Sequence, residues 1–294
     1  MKKNFMAQTI NPEQIAGLLR ECAAEIVMPL YEQGITDEHI TEKTSRYDIA
    51  TTADHEVEEK LKRVLPALYK DCIVIGEETA HETPQTLDEL NDDDGVIFVV
   101  DPVDGTSNFA KGKRHFAVMM SCVINGKTQF GWIYDVLGDE MTIAERGQGA
   151  YTEGRKIQSG SPKRLENLEG FSSMRHFPEK PVNVREKIKA AKSGVAKLST
   201  LGCAAHEYLQ IANGAKDFAL YTHMKPWDHL AGALILAEAG GLTRKWDGSD
   251  YTPKNRTGGL IAATNQECWD IARTHFKLAE IAQQVKQCRR EHKL

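Results

Sequence analysis

The sequence predicts a mixed α and β fold in which helices are layered against two sheets. Three observations lead there. Short apolar runs of strand length recur at 72–75, 96–100, 218–221 and 260–263, the second of them rich in β-branched residues. Segments of helical period lie between and beyond them. The pair Asn125-Gly126 joins two further runs, as in a two-residue hairpin turn.

In chain order, Asn11 as cap, Pro12 in the first turn and Gln14 at the capping-box position open a helix. Ile15, Leu18, Leu19, Cys22, Ile26 and Leu30 keep one apolar face as far as Gly34. Residues 36–52 are polar and weakly patterned, which predicts a loop able to cover a site. A second helix is expected over 54–69, a hairpin over 116–124 and 128–136, a strand over 140–145, and turns over 147–151. Gly, Ser, Pro and charge dominate 154–181, marking a boundary between the halves 1–155 and 156–294 of one domain. A second strand–turn–helix set begins at 197–199. Residues 218–221 form a strand before Trp227-Asp228 opens a long apolar helix, and 260–263 form the last strand. From Gln266 the chain is helical, with Leu278, Ile281, Val285 and Cys288 in register, either packed on its own subunit or forming a dimer contact.

A chain of 294 residues with 41% apolar content can bury a sizeable core. The formal charge of −5 gives no broad nucleic-acid-binding surface. Cys22, Cys72, Cys122, Cys203, Cys268 and Cys288 include no Cys-x-x-Cys pair, which suits reduced thiols. No run is long enough to span a bilayer. A cytoplasmic protein is expected.

The run 96–100 leads straight into Asp101-Pro102-Val103-Asp104-Gly105-Thr106-Ser107. Pro102 cannot continue a central strand, Gly105 lets the backbone turn, and Thr106 and Ser107 suit a helix start. The same pattern is also ordinary turn chemistry. Glu77, after the strand 72–75, and Asp228, near the start of the apolar helix, likewise lie at element boundaries. If Glu77, Asp101, Asp104 and Asp228 converge, like charges about 4 Å apart repel by roughly 4 kcal/mol at an intermediate dielectric. Such a cluster needs a cation or takes up protons. Oxygen-only donors favour magnesium, manganese or calcium over zinc, and point to metal-assisted phosphate chemistry.

Gly76-Glu77-Glu78, the segment from Asp101 to Thr106, and Trp227-Asp228 with Ala231-Gly232 resemble the signature set of the inositol monophosphatase family, in order and at its spacing. Asp48 to Asp54 resembles the family's early Asp/Thr segment. Gly202-Cys203-Ala204-Ala205 resembles its Gly-Thr-Ala-Ala turn, with Cys203 in place of threonine, and Ala239-Gly240-Gly241 resembles its helix-ending glycine pair. The resemblance runs from Asp48 to about Asn265. It implies an α+β five-layer αβαβα sandwich and a magnesium-dependent, lithium-sensitive phosphomonoesterase, often homodimeric, with two or three Mg2+ per subunit. The substrate would be a small phosphorylated metabolite, foremost inositol monophosphate.

By the same resemblance, Glu77, Asp101 and the carbonyl of Val103 hold a first metal, and Asp101, Asp104 and Asp228 a second. Glu77, Thr106 and Asp54 form the catalytic set, Glu77 and Thr106 orienting a metal-bound water. The amides of Gly105 and Thr106 hold phosphate oxygens, and Asp104, Ala204, Tyr221 and Asp228 line the substrate side. Lys43 and Asp48 fall in the family's mobile metal-site loop.

Departures from the pattern bear on substrate. Tyr221 stands where animal-type members carry a glutamate that contacts a sugar hydroxyl, and Leu230 replaces an alanine. Lys113 and Arg114 stand where bacterial members carry an apolar residue and proline; they would attract a second anionic group, or form a solvated basic loop. Histidinol phosphatase, 3′(2′),5′-bisphosphate nucleotidase and fructose-1,6-bisphosphatase activities are alternatives on the same scaffold. A binding role in an RNA synthesis complex, known among bacterial relatives, is the alternative of another class. His206, His223 and His229 lack metal-ligand spacing. Trp132, Trp246 and Trp269 read as packing residues, and Glu58-Glu59-Lys60 and the acidic run 92–94 as solvated surface.

Overall fold

In a computed structural model, residues 10–45, 48–92, 94–173 and 183–292 are described. Helix α1 (Pro12–Cys22) starts where Asn11 Oδ1 accepts the N–H groups of Glu13 and Gln14 at 3.1 and 3.2 Å. The expected capping box is replaced by a link to the second helix: Asn11 N–H donates to the Tyr69 hydroxyl, which donates to Gln14 Oε1. The helix passes through a π-turn (Ala23–Val27) into α2 (Met28–Gln33), and Gly34 at φ 85° ends it.

Residues 36–52 are not the expected loop. They hold strands β1 (Ile40–Ser45) and β2 (Asp48–Thr51), an antiparallel pair with Ile40 opposite Thr51. β-Branched residues at 40, 41, 49 and 51 favour extended backbone, but no apolar face marks the period. Helix α3 (Thr52–Leu68) follows at once, started by a capping box between Thr51 and Asp54.

Strands β3 (Ile73–Gly76), β4 (Val96–Asp104), β5 (Ala117–Ile124), β6 (Lys127–Asp135), β7 (Glu140–Glu145), β8 (Gly149–Thr152) and β9 (Arg155–Lys156) form one sheet in sequential order. Only β3 and β4 run parallel. Asn125 and Gly126, at φ 50° and 72°, make the expected turn between β5 and β6. One expectation is corrected: β4 does not stop before Pro102. Asp101 pairs with Met119 and Asp104 with Ala117, so a bulge absorbs one extra residue and places Pro102 where no ladder N–H is needed. Short helices α4 (Glu77–Glu82) and α5 (Thr106–Phe109) leave the ends of β3 and β4.

The second sheet has the order β11-β10-β12-β14-β13, from β10 (Glu169–Ser173), β11 (Lys197–Ser199), β12 (Phe218–Tyr221), β13 (Leu242–Lys245) and β14 (Leu260–Ala263). Here β10 and β13 are additions to the sequence reading.

Side-chain alternation assigns the layers. Val118, Met120, Cys122 and Trp132 turn from the first sheet toward Leu19, Val57 and Leu61 of α1 and α3. Ala117, Met119 and Ile133 turn the other way, onto α7 (Ala204–Ala212) and α8 (Pro226–Glu238). Those helices rest in turn on Ala219, Tyr221, Leu260 and Ala262 of the second sheet. Its far face, with Phe218, Leu220, Ile261 and Ala263, is covered by α6 (Val184–Ala191), α9 (Gln266–His275) and α10 (Leu278–His292). The order is αβαβα, the five-layer sandwich. A Cβ on Gly131 of β6 would lie 2.9 Å from the Ala231 carbonyl of α8, so glycine lets sheet and helix meet closely. Helix α10 buries Leu278, Ile281 and Val285 in its own subunit's core.

Candidate active site

Each acidic motif residue lies where an element ends or begins. Glu77 opens α4 directly after β3, Asp101 and Asp104 flank the β4 bulge, and Asp228 lies in the first turn of α8. Carboxylate oxygens of Glu77, Asp101 and Asp228 lie within 4.8 Å of one another. With Asp104, Gly105, Thr106, Ser107, Gly202 and Lys225 they line a cavity of about 100 Å³.

Burial raises Asp101 well above the usual carboxylate range, and the neighbouring Glu77 and Asp104 raise it further. Asp228 is pushed up to about 8 by burial, against the pull of Lys225. Burial also raises Asp104. Glu77 goes the other way: burial acts upward, but Lys225 and Lys43 hold it below its ordinary value. Both ammonium groups reach Glu77 Oε1, at 3.2 and 3.1 Å, and Lys43 also meets Glu78 at 2.6 Å. Asp101 Oδ1 is buried with no hydrogen-bond partner. An orphaned carboxylate oxygen within an oxygen-only donor set fits a hard divalent cation. These residues could hold a metal.

The surroundings fix the carboxylates. Asp104 Oδ2 accepts the Ala205 N–H at 2.5 Å and the Cys203 thiol at 3.1 Å. Gly105 has φ 88°, and a Cβ there would lie 2.7 Å from the His115 carbonyl, so only glycine fits this turn. The Thr106 hydroxyl donates to the Val103 carbonyl at 3.0 Å. Ala204 sits half-buried at the start of α7, with its backbone N–H turned to Asp104. Lys43 arrives on β1 as a buried ion-pair partner of Glu77 and Glu78. The Asp48 side chain lies outside the described residues.

Asp54 and Tyr221 do not line the cavity. Asp54 commits Oδ2 to the N–H and hydroxyl of Thr51, both at 2.7 Å, and burial pushes it up to about 8. Tyr221 is 2% exposed, stacked on Tyr208 at 5.3 Å and tilted on His229 at 4.7 Å, and does not line the cavity.

Three supporting residues escaped the sequence reading. Glu58 is not solvated surface: it is 1% exposed and accepts the N–H groups of Glu78 and Thr79, at 2.9 and 3.0 Å, at the start of α4. Its signal was position, i+4 from Asp54 within the apolar stripe of Val57 and Leu61. Asn108 Nδ2 donates to the carbonyls of His115 and Leu201 at 2.8 and 2.9 Å. Glu207, 1% exposed, accepts from Leu201 N–H at 2.9 Å and Thr200 Oγ1 at 3.1 Å. Asn108 and Glu207 thereby hold the turn that delivers Gly202 and Cys203, a long-range pairing that local sequence does not announce.

Comparison with known proteins adds to this geometry. Residues 13–287 match the sequence profile described as the inositol monophosphatase family. A Pasteurella multocida protein described as Nus factor SuhB is 31% identical over 246 residues, 82% of this chain and 86% of its own. A Bacillus subtilis inositol-1-monophosphatase is 28% identical over 234 residues, 80% and 84%. A solved Thermotoga maritima IMPase shares the fold with a TM-score of 0.76 at 23% identity, covering 94% of this chain and 98% of that one. Inositol monophosphatase-II from Staphylococcus aureus gives 0.75 at 24%, covering 92% and 97%. With a match from first helix to last, and acidic motifs that fold onto one cavity, the chain belongs to the inositol monophosphatase family.

Proposed function

We propose that the protein is a Mg2+-dependent, lithium-sensitive phosphomonoesterase for a small phosphorylated metabolite, with inositol monophosphate the first candidate, working as a homodimer. The supporting observation is the approach of Glu77, Asp101 and Asp228 within 4.8 Å, with Asp101 Oδ1 buried and unpartnered. In this reading Glu77, Asp101 and the Val103 carbonyl hold one cation, and Asp101, Asp104 and Asp228 another. When bound, such cations acidify water and neutralise charge on the phosphoryl group. The Gly105 and Thr106 amides hold phosphate oxygens, Glu77 and Thr106 orient the attacking water, and Asp54 keeps Thr51 and the start of α3 in place behind them. Lys43 and Lys225 pair with Glu77 and offset part of the cluster's negative charge. Positioning and charge neutralisation are what phosphoryl transfer chiefly needs.

Phosphate release from inositol 1-phosphate, histidinol phosphate, adenosine 3′,5′-bisphosphate and fructose 1,6-bisphosphate tests the reading. Magnesium-dependent, lithium-sensitive release supports it, and loss of release in Asp104→Asn supports the site. No release from any compound would overturn it. With Tyr221 sealed from the cavity, the polyol preference rests on the panel alone. The relatives described as Nus factors favour a second reading, binding within an RNA synthesis complex. That reading requires capture of the same transcription partner by wild-type and Asp104→Asn protein.

A further inference from the structure

The turn from α5 to β5 carries Lys111, Lys113 and Arg114, all exposed, and residues 110–116 contain no acid. Its backbone is tightly held. Lys111 and Lys113 N–H donate to the Asn108 carbonyl at 3.0 and 2.9 Å, and the Gly112 carbonyl accepts the Tyr31 hydroxyl at 3.1 Å. Asn108 Nδ2 ties the far end of the turn through the His115 carbonyl at 2.8 Å.

This turn abuts the cavity at two points. Lys111 Nζ donates to Ser107 Oγ at 2.9 Å, and Ser107 lines the cavity beside Gly105 and Thr106. The His115 carbonyl stands 2.7 Å from where a Cβ on Gly105 would be. The cavity itself is acidic; Lys225, which lines it, and the buried Lys43 are both engaged with Glu77. A second negative group on a ligand seated in the cavity would meet the Lys111 ammonium at this rim, beside Ser107, with the exposed Lys113 and Arg114 on the same turn adding to the attraction.

We propose that Lys111, with Lys113 and Arg114, forms a specificity-determining cationic rim that selects phosphomonoesters bearing a second anionic group, a further phosphate or a carboxylate. It rests on the phosphomonoesterase reading. Matched pairs test it: fructose 6-phosphate against fructose 1,6-bisphosphate, and adenosine 3′-monophosphate against adenosine 3′,5′-bisphosphate, at about 0.05 and 0.3 M KCl. Wild type should show a KM about tenfold lower for each doubly charged member at low salt, the gap closing at high salt. The K111A/K113A/R114A variant should lose that gap with kcat unchanged, and a single K111M variant should lose part of it. Equal changes in KM for both members of a pair, or no preference in wild type, would overturn the rim while leaving the phosphatase reading intact. If nothing is hydrolysed, the phosphatase reading fails, and calorimetric Kd values for the same pairs in Ca2+ decide the rim by the same comparison.

Discussion

The Cys203 thiol donates to Asp104 Oδ2 at 3.1 Å, so a helix of the middle layer grips a carboxylate of the first sheet. Cys203→Thr keeps a donor and should leave Mn2+ affinity within about twofold. Cys203→Ala removes a hydrogen bond worth about 1 kcal/mol and should weaken affinity about fivefold. Calorimetric titration measures both; unchanged affinity in the alanine variant would show that Ala205 N–H alone fixes Asp104.

Lys43 is 4% exposed at its side chain and bridges Glu77 and Glu78, the latter 6% exposed. Lys43→Met leaves a buried carboxylate without its partner. Metal-free protein should lose about 3–5 kcal/mol of stability in urea titration. A loss below about 1 kcal/mol, as for a surface pair, would place this lysine in solvent.

Burial pushes the Glu207 carboxyl from 4.5 up to about 7. A folded-state value above the unfolded one means that the proton is held more tightly in the fold. That contribution is complete below pH 4.5 and is lost as pH rises through about 7. In EDTA, Glu207→Gln should flatten the fall of Tm across this window relative to wild type. Parallel calorimetric profiles would remove Glu207 as the source.

Gly105→Ala forces a side chain into φ 88° against the His115 carbonyl. A left-handed alanine costs roughly 1–2 kcal/mol. The larger effect should fall on turnover, because displacing neighbouring Asp104 and Thr106 by about 1 Å can cost about 100-fold. Activity near wild type would show that the turn relaxes elsewhere.

Leu278 and Ile281 anchor α10 to its own core. Each alanine replacement should cost about 2–5 kcal/mol by denaturation, without changing the number of subunits seen by sedimentation. Dissociation at full stability would instead assign the helix to a subunit contact.

The sequence made some of this plain and hid the rest. Strands such as β12 and β14 were legible because short, wholly apolar runs suit a sheet buried on both faces. The β5–β6 turn was legible because Asn-Gly meets its demand for positive φ. By contrast β10, Glu-Gly-Phe-Ser-Ser, gains its strand from partners on both sides. The β1–β2 pair has no apolar face, and Glu58 looks like any helix-surface acid until α4 is laid against it. The metal-type carboxylates could be named from their motifs, but the lysines that answer them come from distant strands and loops.

Asp101 and Asp104 belong to a strand finished early in synthesis, whereas Asp228 rides on α8, between the sheets and far along the chain. A polypeptide emerging from the ribosome can therefore pair β3 through β9 and still lack a complete acidic cluster. Only when α8 has been made and seated on both sheets do the oxygens of Glu77, Asp101 and Asp228 come within 4.8 Å. The cluster that could hold a cation is thus a property of the docked α8 and not of the first sheet alone.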